Sequence, residues 1–315
     1  MACSARAPAP TADPHRHRRH NNDVMTGNSE VAGATEKSAF SSGFVVSQGV
    51  RVHYEVHGEG PTVLVMVGWG TYAHGAFAQV PWAIARGRRV VLIDWRGLGA
   101  SEDSDEIPAT TRAHAADAAA VLQHVGGDPA HIVGIVGIGA CVAQWLAIDH
   151  PELVRSLAMS GGWAGPDRLF VDQMNTLLSV AATMGFAEFQ RLSAQWCFDA
   201  NYYNAHATNF LGPHGPWSHL FGNLDGMNRL VSATIGHDAR AELHRIECPT
   251  FVLHAGVDLL TGPRLTMPLE TGITGAEGVL VPELAHVVAG REHKKLFSDA
   301  IGDFLHRVEA SGQGV

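Results

Sequence analysis

The chain has 315 residues, 46% hydrophobic and 17% charged, so it is long enough for a full core and too apolar to be disordered. Its 22 Lys and Arg stand against 31 Asp and Glu, a formal charge of -9, which argues against a nucleic-acid partner. The longest apolar runs are strand-length, too short to span a membrane. The four cysteines (Cys3, Cys141, Cys197, Cys248) form neither a CxxC pair nor a metal-ligand spacing, so a cytoplasmic protein with free thiols is expected.

Residues 1–42 differ in composition from the rest. Ala-Pro repeats (Ala5–Pro10) lead into the cluster His15-Arg16-His17-Arg18-Arg19-His20 and then a Ser/Thr/Gly stretch. The segment has no apolar h-region, and no further metal ligand stands near the histidines, so it reads as a solvated, disordered tail. Met25 is an alternative start, which would leave residues 1–24 outside the native protein. From Gly43 onward strands and helices alternate. Val45–Val46 and Val50–Val56 form a hairpin about Gln48-Gly49. Thr62–Val67, Arg89–Ile93, Ile132–Val136, Val154–Met159 and Thr250–Ala255 are short apolar runs. Helical patterns lie between and after them, at Ala109–His124, Ala140–Asp149 and Glu292–Val308. Continuous Val/Ile/Leu strands separated by helices imply a mostly parallel α/β sheet covered on both faces.

Residues 165–240 break this alternation. The stretch is helical and rich in aromatics (Phe170, Phe186, Phe189, Trp196, Phe198, Tyr202, Tyr203, Phe210, Trp217, Phe221). An insertion of this length, after the sixth strand, is expected to be a cap over the strand C-termini, where such sheets bind ligands. The core is then residues 43–164 and 241–312. Polar cap residues Tyr202, Tyr203, Asn204, His206, His214 and His219 are candidate substrate contacts.

Several segments carry a family resemblance in chain order. Val67-Gly68-Trp69-Gly70 resembles an HGWG-type turn after the third strand, with Val67 in place of the histidine. Asp94-Trp95-Arg96-Gly97-Leu98-Gly99-Ala100-Ser101 resembles a D-x-R-G-x-G-x-S turn. Ala143–Ala147 through His150-Pro151-Glu152 resembles the helix after a nucleophile. Gly256–Thr261 resembles an acid turn, and Val281–His286 a catalytic histidine turn. Together, over residues 43–310, the sequence resembles the capped α/β-hydrolase superfamily. The resemblance implies Asp258 as acid and His286 as base, the carboxylate fixing the imidazole tautomer so that the other nitrogen takes a proton. It also implies an oxyanion hole from the backbone N–H groups of Trp69 and Ile138.

The family's G-x-S-x-G elbow is replaced by Gly134-Ile135-Val136-Gly137-Ile138-Gly139. Counting back from His150-Pro151 puts the nucleophile position at Gly137; counting forward along the strand puts it at Val136. Neither has a nucleophilic side chain. Cys141 falls one helical turn too late and Ser160 ends the next strand, so both are weak substitutes. The glycines superficially match a dinucleotide fingerprint, but the next strand lacks the ribose-binding acid.

An enzyme that keeps acid and base without the serine makes sense where the reaction needs a base. Loss of a triad serine costs about 10⁶ in rate for covalent acyl transfer, while about 10³–10⁴ over water persists from the oxyanion hole and binding. The expectation is a cofactor-free enzyme acting on a small apolar or aromatic substrate, by proton abstraction, lyase or ring-opening chemistry, or water-activating hydrolysis. Superfamily members that abstract protons, the hydroxynitrile lyases and cofactor-free dioxygenases, share this logic while keeping a serine. One alternative is a non-catalytic binding or interaction protein, as in the similar N-myc downstream-regulated family. Another is an ordinary ester, lactone or C–C hydrolase with an unrecognised nucleophile. No residue set implies a metal or organic cofactor, and a monomer or homodimer is expected.

Overall fold

A computed structural model describes residues 40–69, 76–212 and 214–312. The segment 1–39, with Cys3, the His15–His20 cluster and Met25, lies outside the described residues, as does Gly70. The chain enters through β1 (Phe40–Ser47) and β2 (Val50–His57), joined at Gln48 (φ 50°) and Gly49 (φ 84°). Positive φ at both turn positions matches the right-handed twist of a two-residue hairpin. β1 thus begins three residues inside the expected tail: Phe40, Ser41 and Ser42 pair with His57, Val56 and Glu55. These residues are exposed on an edge strand, where a serine needs no buried partner, so their composition resembles a tail.

The chain continues through β3 (Thr62–Met66), the short α1 (Trp82–Ala85), β4 (Arg89–Ile93), α2 (Thr111–Val125), β5 (Ala130–Ile135), α3 (Ile138–Asp149) and β6 (Val154–Ser160). After the insertion come β7 (Thr250–Ala255), α8 (Pro263–Gly272), β8 (Glu277–Val281) and α9 (Arg291–Ser311). The eight strands lie in the order β1-β2-β4-β3-β5-β6-β7-β8. β2 pairs antiparallel with β1 and β4; every later pairing is parallel. Successive side chains of a strand point to opposite faces, and this alternation sorts the core. Leu64, Met66 and Ile132 pack against α2, α3 and the insertion, whereas Val63, Val65 and Val133 pack against α1 and α9.

Between β6 and β7 the chain forms α4 (Arg168–Thr183), α5 (Phe186–Cys197), α6 (Ala200–His206) and α7 (Leu224–Ile235). Asp167 caps α4 and Asp199 caps α6, each carboxylate accepting a backbone N–H three residues on (2.8 and 2.9 Å). Phe170, Phe189, Phe198 and Phe210 are buried; Phe221 is exposed. Among the bonds that tie the insertion to the sheet loops, Trp69 Nε1 donates to Thr234 Oγ1 of α7 (3.1 Å), and Val287 N donates to the Cys197 carbonyl (2.7 Å). Among the described residues no helix is long and apolar enough to cross a membrane.

The turn after β4 is a structural unit. Arg96 meets Asp117 of α2 through two bonds, 3.1 Å from Nε and 2.6 Å from Nη2, with both side chains nearly sealed from solvent. Asp94 accepts the Ala100 N–H at 2.8 Å and faces His53 Nδ1 at 3.0 Å.

Candidate active site

The parallel strands deliver three loops to one end of the sheet. The first leaves β5 through Val136 (φ 60°) and Gly137 (φ 75°, ψ −113°), and α3 begins at once with Ile138. Two glycines permit so tight a passage. A Cβ at Gly134 would stand 2.6 Å from the Ala140 Cα, and one at Gly139 would collide with the Met66 carbonyl at the end of β3. Close backbone packing therefore accounts for Gly134 and Gly139, two of the three glycines of the dinucleotide-like spacing.

The two candidate nucleophile positions point differently. The Val136 side chain lies against Gly68, its Cγ1 3.1 Å from where a Gly68 Cβ would be. At Gly137 a Cβ would face His286, 4.0 Å from Nε2 and from Cε1, with Trp163 Cζ3 3.8 Å away. The fold thus brings Gly137, and not Val136, opposite the imidazole. Ile138, as the first residue of α3, has an N–H without an acceptor inside the helix, at the helix end that favours negative charge. Gly68 borders the same elbow from the β3 side, a Cβ there standing 2.8 Å from the Val136 carbonyl oxygen.

The other two loops carry the residues expected as acid and base. Asp258 follows β7 and His286 follows β8, and Asp258 Oδ2 lies 3.0 Å from His286 Nδ1. The carboxylate is almost wholly enclosed: its side chain is 1% exposed, against 10% for His286. Asp258 Oδ1 accepts the N–H groups of Leu260 and Thr261, both at 2.8 Å, and Oδ2 accepts the Thr261 hydroxyl at 2.9 Å. Burial pushes this carboxyl upward, but the His286 charge, the His286 hydrogen bond and the Thr261 donors outweigh it and leave the pKa below the usual carboxylate value. Asp258 therefore stays ionised beside an imidazole whose second nitrogen faces Gly137.

Cys141 does not reach this centre. It is buried in α3 with its Sγ toward the Trp163 carbonyl at 3.8 Å, and burial raises its thiol well above the normal range. Such a thiol is inert. Ser160 ends β6, where its carbonyl accepts the Val136 N–H at 3.1 Å. Of the polar insertion residues, Tyr203 and Asn204 line an open groove of about 660 Å³ beside the acid and histidine turns, with Phe198, Val257 and Leu259. Tyr202 instead stacks on His206 at 4.1 Å. Among the described residues no cluster of His, Cys, Asp or Glu is arranged to hold a metal ion.

Two residues at the centre escape a reading from sequence. Trp163, three positions past β6, forms a wall of the site, and Thr261 touches both members of the dyad. The spacing Asp258-x-x-Thr261 is a turn pattern in which the hydroxyl can return to the carboxylate, a signal available in the sequence.

Residues 61–288 match the family model for the alpha/beta hydrolase fold. The chain belongs to the α/β hydrolase fold family. A relative from Variovorax paradoxus (strain S110), named "Putative carbamate hydrolase RutD", is 29% identical over 273 residues, covering 83% of this chain and 98% of its own. The 2-hydroxymuconate semialdehyde hydrolase of Pseudomonas sp. (strain CF600) is 25% identical, covering 85% and 94% respectively. Among solved structures, MGS-M2, an alpha/beta hydrolase enzyme from a Medee basin deep-sea metagenome library, superposes with a TM-score of 0.74 at 21% identity. The match covers 84% of this chain and 97% of that one, and shows the shared fold.

Proposed function

We propose that this chain is an enzyme that hydrolyses a small apolar or aromatic carbonyl substrate without a covalent intermediate. In this reading His286, oriented by Asp258, is a general base acting on water. The observation that carries it is the space above Gly137, where a serine would stand: it is bounded by His286 Nε2 and Trp163 and filled by no side chain of the elbow. A water there lies within hydrogen-bond reach of an unprotonated Nε2. As its oxygen forms a bond to the substrate carbonyl carbon, its proton passes to Nε2. The carbonyl electrons move to an oxyanion facing the N–H groups of Ile138 and Trp69. Collapse of this intermediate breaks the bond to the leaving group, which takes the proton from the imidazolium.

The retention of Asp258 and His286 in a closely hydrogen-bonded dyad supports a base-dependent reaction. The hydrolase names of the relatives favour a carbonyl over a carbon acid as the group attacked. Helices α4 to α7 act as a lid in this scheme, excluding bulk water and providing the apolar wall on which Trp163 and Phe170 pack at 4.4 Å. The test is a panel of small aryl esters, carbamates and lactones assayed with wild type and His286→Ala. The reading expects turnover of at least one class, reduced by about 10²-fold or more in His286→Ala, the usual worth of general-base catalysis. Turnover equal in the two proteins would overturn it.

A further inference from the structure

Thr261 carries a role that neither the acid nor the base explains. Its side chain is buried, and one oxygen, Oγ1, lies 2.9 Å from Asp258 Oδ2 and 2.9 Å from His286 Nδ1. A hydroxyl has one hydrogen to donate and lone pairs to accept with. The carboxylate can only accept, so the hydroxyl hydrogen is directed to Asp258. Toward His286 the hydroxyl then offers a lone pair. Nδ1 thus faces two acceptors, Asp258 Oδ2 at 3.0 Å and Thr261 Oγ1 at 2.9 Å, and both are satisfied only if Nδ1 bears a proton.

The surroundings hold this hydroxyl in place. Thr261 N donates to Asp258 Oδ1, and Gly161 closes over the hydroxyl from β6: a Cβ there would stand 3.3 Å from Oγ1. The Gly161 carbonyl in turn accepts the Gly137 N–H at 3.1 Å, which ties the loop after β6 to the elbow. Where a serine is present its hydroxyl gives the imidazole a partner on the Nε2 side. Gly137 offers no such side chain, and the side-chain hydrogen bonds to the ring come from Asp258 and Thr261 on the Nδ1 side.

We propose that Thr261 is a positioning residue: its hydroxyl shares the His286 Nδ1–H with Asp258, locking the imidazole as the Nδ1–H tautomer with a bare Nε2 facing Gly137. The importance given to that tautomer rests on the base role above, but its test needs no turnover. The His286 ring nitrogens, assigned by difference against His286→Ala, are read by long-range ¹H–¹⁵N NMR at a pH where the ring is neutral. Wild type is expected to show one dominant tautomer, protonated on Nδ1. Thr261→Val leaves Asp258 Oδ2 as the remaining side-chain acceptor at Nδ1 and is expected to raise the minor Nε2–H population, drawing the two ring-nitrogen shifts measurably closer together, and Thr261→Ser to restore the wild-type pattern. A wild-type spectrum dominated by the Nε2–H form overturns the proposal without any Thr261 variant. A folded Thr261→Val with the unchanged wild-type pattern overturns it as well. Failure of the substrate panel leaves this readout intact, so the two claims fail separately.

Discussion

Gly137→Ser is the most informative single perturbation of this fold. The serine Cβ would stand 4.0 Å from His286 Nε2 and 3.8 Å from Trp163, ordinary contact distances, so the side chain fits without displacing a neighbour. From there its hydroxyl, one bond further out, reaches hydrogen-bond distance of Nε2. The cost lies in the backbone. Gly137 sits at φ 75°, ψ −113°, where an L-residue pays about 1–3 kcal/mol. A chain of this size then loses on the order of 2–4 °C in Tm per kcal/mol. The gain is chemical: a serine activated by an adjacent base is worth about 10²–10⁴ in rate. The variant should therefore hydrolyse p-nitrophenyl acetate and butyrate at least about 10²-fold faster than wild type, with burst kinetics and a fluorophosphonate adduct on the new serine. Adding His286→Ala should abolish the gain. A folded Gly137→Ser that remains inert and unlabelled would refute the placement of Gly137 opposite a working base.

Other substitutions test the supports of the site. Arg96→Leu would leave Asp117 as an uncompensated buried carboxylate and should cost about 3–5 kcal/mol by urea unfolding; a change under about 1 kcal/mol would contradict the ion pair's burial. Gly139→Ala would drive a methyl into the Met66 backbone carbonyl and should cost on the order of 3 kcal/mol or prevent folding, whereas neutral behaviour would show that the elbow is not held against β3. His114, His131 and His237 are kept neutral by burial, with pKa values lowered to about 3, about 4 and about 4. The unfolded chain protonates them near pH 6.5, so between about 6.5 and 4 it binds more protons and stability falls as pH falls, by about 1.4 kcal/mol per pH unit per histidine. Urea midpoints measured from pH 7 to 4.5 should decline steadily, and His114→Leu should flatten the slope by about a third, being one of three such groups. A flat wild-type profile would contradict the burial of these rings.

The central sheet was legible because β3, β4, β5 and β7 carry short runs rich in Val, Ile and Leu, a pattern that burial on both faces imposes. Phe40–Ser42 were not, because an exposed edge strand makes no such demand. Asp258 and His286 could be named from their local turns. The choice between Val136 and Gly137 could not, since the two differ only in where the backbone aims a Cβ: toward Gly68 in one case and His286 in the other. Spacing counted along the chain carries no such direction. Trp163 and Thr261 were missed for a related reason. The Asp258-x-x-Thr261 turn is local, but the Trp163 indole and the Thr261 contact with His286 acquire meaning only when β6, β7 and β8 bring their loops together.

The proposal that hydrolysis proceeds without a covalent intermediate is tested most directly by intact-mass spectrometry of the wild-type protein. The protein would be quenched during turnover of an aryl ester in ¹⁸O-water and, separately, after exposure to a fluorophosphonate and to iodoacetamide. General-base hydrolysis over Gly137 predicts unmodified protein in the quenched and fluorophosphonate samples, no iodoacetamide label on buried Cys141, and ¹⁸O in the product acid. A stoichiometric adduct mapped to one residue of the site would contradict it and make that residue the nucleophile.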